Sequence, residues 1–238
     1  MRLVRFEATD ELKGAEFEGV DLSGASFHNV NLSGVTVKEA VLVNARLSGL
    51  IHGLVVNDVE VAPLISAELD RRYPERSALR PRDAGGVRAA WSVIENLWAA
   101  SRTRAAALPE ATLRERVDGE WSFLETMRHL VFVTDLWVSG NMLGRTDHFH
   151  PWGMAPSFIP DPERFGIDVT ADPSFEEVVA AREDRMAIVR EVVADMTDDD
   201  LGRTRGDHTT LFCLCTLFDE EWHHNWFANR DLDALARD

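Results

Sequence analysis

Two pairs of side chains in this chain could do chemistry through their spacing alone. In the stretch EEWHHNWFANRDL, Glu220 and His224 stand four residues apart, so a helix places them one turn apart on one face. The same face carries Cys213, Leu217, Phe227, Ala228 and Leu235. A carboxylate and an imidazole on an otherwise apolar stripe are costly to bury unless something pairs with them, and a metal ion would do so. A second stretch, SFLETMRHLVFVTDLWVSG, repeats the arrangement: Glu125 and His129 share a face with Phe132, Val133 and Leu136. Two helices that each present Glu-x3-His to a core are the feature that most needs a chemical explanation.

Other candidates carry less. His223 lies about 100° around the helix from His224 and reads as an outer-face residue, with Asp219/His223 as the alternative pair. His148 and His150 sit in a loop beside Trp152, where a mobile histidine could close over a substrate. The only cysteines, Cys213 and Cys215, point roughly 160° apart on a helix, so they neither ligate one ion together nor readily form a disulfide. Two buried thiols fit a reducing cytoplasm.

The elements that must position these groups follow from periodicity. Val87–Leu108 has Trp91, Ile94, Trp98, Ser101 and Ala105 on one stripe, and Pro109 ends it. The helix of His129 comes next, then a Pro-rich loop from Gly144 to Pro173. A third helix, Ser174–Met196, opens with the capping box Ser174/Glu177. After a short turn at Thr197–Asp200, a last helix runs from about Thr210 to Ala236. Four long helices, one long connection and no strand signal after Pro63 predict an up-and-down bundle.

Upstream the pattern is different. Leu12, Phe17, Leu22, Phe27, Leu32, Val37, Leu42 and Leu47 fall five apart, with a small or β-branched residue two positions before most of them. A five-residue period fits neither a helix nor a flat strand. It fits a square coil in which each repeat forms one side and the large residue points inward. Gly53–Pro63 alternates around Asn57-Asp58 and reads as a hairpin, Pro63 can open a short helix, and Pro74–Gly86 reads as a linker. The expected organisation is therefore a repeat coil with its hairpin over 1–62, a short helix and linker over 63–86, and a helical bundle over 87–238.

Composition bounds the function. With 238 residues the chain can bury a sizeable core, and its net charge of −16 argues against a nucleic-acid or anionic-membrane surface. The N-terminus lacks the apolar run of a signal peptide and no segment reaches a membrane span, so a cytoplasmic protein is expected. Basic residues are 23 Arg against 2 Lys, the mark of a high-GC genome.

The five-residue repeats resemble the pentapeptide-repeat family, which implies a right-handed quadrilateral β-helix of about two coils. Such a short stack cannot bury its own ends and is expected to serve as a scaffold or lid, capped by the rest of the chain. WSFLETMRHL and EEWHHNWFANRDL resemble the second-helix and last-helix motifs of the DinB-like four-helix-bundle superfamily. That resemblance covers about Val87–Ala236 and makes the fold mainly α, with the short β-helix in front. Carried over by position, its metal triad falls on His129, Glu220 and His224, with Glu220 standing where the family has histidine. It implies a divalent ion, Zn²⁺ or Ni²⁺ favoured, and thiol chemistry of an S-transferase or isomerase type. The thiol in high-GC actinobacteria is mycothiol, the electrophile is a small molecule, and Glu125 would handle the proton. Pairing of two chains stays open. The competing reading is a non-catalytic interaction scaffold that kept a degenerate site.

Overall fold

The computed structural model describes residues 5–6, 12–28, 30–49, 51–156 and 159–236. These fall into two units, Met1–Thr36 and Val37–Asp238.

The first unit shows turns and no strand among its described residues. Leu12, Leu22 and Leu32 each accept a hydrogen bond from the amide three residues on. Gly14, Gly24 and Gly34 take φ near +76°, +76° and +75°, the left-handed conformation that the third position of such a tight turn demands. The large residues of the repeats are not turned inward: Leu12, Phe17, Leu22 and Phe27 are 43–62 % exposed. The described residues thus show the turns of the repeats but no strands of the expected quadrilateral β-helix.

In the second unit, β1 (Val55–Val56) and β2 (Val59–Glu60) pair antiparallel around Asn57 and Asp58, both left-handed, as the Asn-Asp turn predicts. Helix α1 (Ala62–Arg72) follows with Pro63 in its first turn. Residues 74–86, expected as a linker, are ordered against the bundle. Pro74–Leu79 forms a 3₁₀ helix with Arg76 and Leu79 buried, and the next helix already starts at Ala84. The polar composition misled because Arg76 is buried by stacking over Trp222, 4.6 Å from the ring centre, and by pairing with Asp70 at 2.6 Å.

The bundle is built from α2 (Ala84–Ala105), α4 (Phe123–Thr134), α5 (Phe175–Ala194) and α7 (Thr210–Leu235), with short α3 (Glu110–Leu113) and α6 (Asp198–Leu201) in the connections. Helix α7 packs on both α2 and α4, and α5 closes the ring against α2 and α4. The α2 stripe predicted from spacing, Trp91, Ile94, Trp98, Ser101 and Ala105, is buried in full, facing Leu130, Leu214, Leu217 and Phe218. Ser174 and Glu177 form the predicted capping box. Helix α4 does not stop at Thr134 but widens into a π-helical turn, Asp135–Met142. A small hairpin, β3 (Thr204–Arg205) with β4 (His208–Thr209), precedes α7 where no strand was expected. Among the described residues no helix is long and apolar enough to cross a membrane.

Candidate metal centre

Helix α4 supplies His129 and helix α7 supplies Glu220 and His224, and the packing of the two helices brings them together. One ligand atom from each lies within 4.8 Å of the others, the one such group of three among the described residues. His224 Nε2 is 3.2 Å from Glu220 Oε2, His129 Nε2 is 3.9 Å from the same oxygen, and the two imidazole centres are 4.8 Å apart. The three residues onto which the resemblance carried a metal triad thus lie around one shared space.

His129 is 5 % exposed, and its orientation is set by the backbone of the long loop. Its Nδ1 lies 3.0 Å from the carbonyl oxygen of Met154. A carbonyl only accepts, so Nδ1 donates to Met154 and Nε2 is the ring atom turned toward Glu220 and His224. The Met154 amide in turn donates to the Arg128 carbonyl at 3.1 Å, so one loop residue grips α4 twice. Trp121 covers the two imidazoles, its ring 4.6 Å from that of His129 and stacked 5.9 Å from that of His224.

Electrostatics suit a cation. Burial pushes the Glu220 carboxyl up, but the imidazoles of His129 and His224 outweigh it and hold the group well below the usual carboxylate range. Burial pushes His224 down, against the pull of Glu220, favouring the neutral ring that ligation needs. Two imidazoles and one carboxylate around a shared space are a donor set that a divalent transition ion accepts. The residues present fit such an ion.

Glu125 is not brought to this group. It closes a capping box with Ser122, accepting from the Ser122 amide at 2.8 Å, and it pairs with Arg116 at 2.9 Å through Nε. Its spacing from His129 thus reflects the start of α4, which the pattern Ser-x-x-Glu could have disclosed. His223 lies away from the triad, 3.4 Å from Asp219. His150 gives its amide to Asp135 at 2.8 Å, and the His148 ring sits against Phe149 at 4.4 Å between centroids, so neither loop histidine joins the triad.

Sequence reasoning missed one buried feature beside the site. Arg182 of α5 and Glu221 of α7 are both fully buried and form a two-pronged pair, with both contacts at 2.8 Å. Glu221 directly follows Glu220, so this pair anchors α7 at the ligand position. No signal short of the helix packing shows that an arginine in REDR is interior.

Two histidines and a carboxylate held between two helices of a four-helix bundle make a possible metal site. Compared with known families, residues 93–228 match the DinB superfamily, and residues 11–49 match Pentapeptide repeats in 8 copies. The chain belongs to the DinB superfamily, whose domains bind metal. Neither a curated protein nor a solved structure matches it.

Proposed function

We propose that this protein is a metal-dependent enzyme of thiol chemistry, joining or isomerising a low-molecular-weight thiol such as mycothiol with an electrophilic small molecule. The observation that carries the reading is the convergence of His129, Glu220 and His224 on one space. The family's metal-binding character and the two helix motifs support it. When bound, a divalent ion such as Zn²⁺ or Ni²⁺ would lower the pKa of a thiol, so that the nucleophilic thiolate forms at neutral pH.

The chain's own residues have defined parts in this. His129 keeps its proton on Nδ1 against the Met154 carbonyl and offers Nε2. Glu220 brings one negative charge, so the site carries about +1 with a divalent ion instead of +2 for three imidazoles. That favours borderline or harder ions and acidifies a thiol less. Trp121 shields both rings from water on one side. The Glu125 carboxylate is engaged by Ser122 and Arg116, so the proton is not assigned to it here.

The reading is tested by mixing metal-loaded protein with mycothiol and a bimane electrophile and following adduct formation by chromatography. A rate above background that falls on chelation and in His129→Ala supports it. A rate equal to background with mycothiol and with cysteine contradicts it and favours a scaffold.

A further inference from the structure

Helix α7 is gripped on a side that the family match does not cover. Residues 93–228 match the superfamily, yet Tyr73 and Arg76, upstream of that stretch, reach the helix that carries Glu220 and His224. Tyr73, the single tyrosine of the chain, accepts a hydrogen bond at its hydroxyl from Trp226 Nε1 at 3.0 Å. Its ring meets Trp222 edge-on at 5.4 Å and Trp226 at 6.1 Å. The Arg76 guanidinium lies over the Trp222 ring, fixed from behind by Asp70. Trp222 and Trp226 stack on each other at 5.8 Å, and Trp222 is 3 % exposed.

We propose that Tyr73 and Arg76 are positioning residues for the metal ligands, setting the rotation of α7 about its own axis. The inference rests on the metal reading of the triad. Trp222 lies two residues from both Glu220 and His224, roughly 200° around the helix, so the grip is on the face opposite the ligands. A second grip acts toward the core: Arg182 holds Glu221, and Ser101 accepts from Asn225 at 2.8 Å and from Asn229 at 2.7 Å. Glu221 lies about 100° from Trp222 and Asn225 about 60°, whereas Asn229 shares the tryptophan face, so the Arg182–Glu221 pair supplies the distinct angle. Two grips at different angles fix a rotation that one leaves loose.

The tolerance is narrow. With side chains about 5.5 Å from the axis, a turn of roughly 20° moves a ligand atom by about 2 Å. Metal–ligand distances hold to about 0.2 Å. A loosened outer grip is therefore felt at the metal before it is felt in helix content.

The test uses the full chain, with Co²⁺ and Zn²⁺ as probes. Tyr73→Leu/Arg76→Met keeps apolar volume over Trp222 and removes the hydrogen bond and the cation. Metal affinity, measured by competition with a chromophoric chelator, should fall about tenfold or more, the size seen when groups that orient ligands are removed. The visible Co²⁺ bands at saturation should change, while far-UV circular dichroism stays at the wild-type value. Tyr73→Phe, which retains the ring, should stay within about threefold of wild type. Equal affinity and identical Co²⁺ bands in wild type and double variant overturn the proposal. Should the double variant not fold, Arg76→Met alone is read by the same criteria. A wild-type protein that binds neither ion fails differently, since it removes the metal reading itself.

Discussion

Replacing Arg182 by methionine should be among the most damaging single changes in the bundle. Both members of the Arg182–Glu221 pair have fully buried side chains. Arg182 also reaches the Leu130 carbonyl at 3.4 Å and Thr134 Oγ1 at 3.5 Å, with the Trp98 ring 5.9 Å away. Methionine fills much of the same space, so the principal loss is charge compensation. Burial already pushes the Glu221 carboxyl up and Arg182 opposes it. Without Arg182 the carboxylate is either uncompensated or protonated. Breaking a buried pair on one side costs about 3–5 kcal/mol. With a urea slope of roughly 2–3 kcal/mol/M, the unfolding midpoint should drop by about 1–2 M at pH 7. Arg182→Met/Glu221→Leu, which leaves no orphan charge, should recover most of that loss. The assay is urea unfolding of all three proteins followed by tryptophan fluorescence. A cost under about 1 kcal/mol for the single variant would refute the burial of an ionised pair. A double variant as unstable as the single one would show that packing, not charge, is what Arg182 supplies.

Three further outcomes are expected. Glu125→Ala should lower stability by about 1 kcal/mol through loss of the cap on α4, while metal content is unchanged. Metal loss without destabilisation would return Glu125 to the site. Metal-free protein should lose stability as pH falls below about 6.5, because unfolded His224 takes up a proton that the buried ring resists. The folded pKa lies below the unfolded one, so the contribution is complete above the unfolded value and declines through the folded value. Thermal midpoints between pH 8 and 5 should show this slope weakened in His224→Leu, and equal slopes would contradict it. Isolated residues 1–62 should give a poorly dispersed NMR spectrum, since the repeat side chains are exposed. Sharp, dispersed peaks would show that the repeats form a core unaided.

The pairing of Glu220 with His224 was legible because helical spacing is rigid, whereas His129 joined them only through the family resemblance. Glu220 and His224 had to share a face of α7, and an acid with an imidazole on that apolar stripe had to be compensated. The bundle itself was legible from its stripes and from the Ser174/Glu177 cap. What failed was whatever depends on a partner from another element. Glu125 shares a face with His129 yet serves the helix start, because Ser122 and Arg116 reach it first. Nothing in the sequence marks Arg76 or Arg182 as interior, since their burial comes from Trp222 in one case and Glu221 in the other. The grip of Met154 on His129 uses a main-chain carbonyl, which side-chain pattern cannot show. The π-helical turn after Thr134 has no periodic signal of its own. In the repeat segment the five-residue period set the turns.

The central claim is that His129, Glu220 and His224 hold one divalent ion, and metal loading of Glu220 variants tests it most directly. Purified wild type, Glu220→His and Glu220→Leu are each equilibrated with Zn²⁺, desalted and analysed for metal by mass spectrometry. About one ion per chain is expected for wild type and for Glu220→His, because a histidine completes the same donor set. Glu220→Leu should lose the metal while α7 still packs, so that far-UV circular dichroism stays at the wild-type value. Full loading of Glu220→Leu would contradict the assignment, showing that Glu220 is not a ligand.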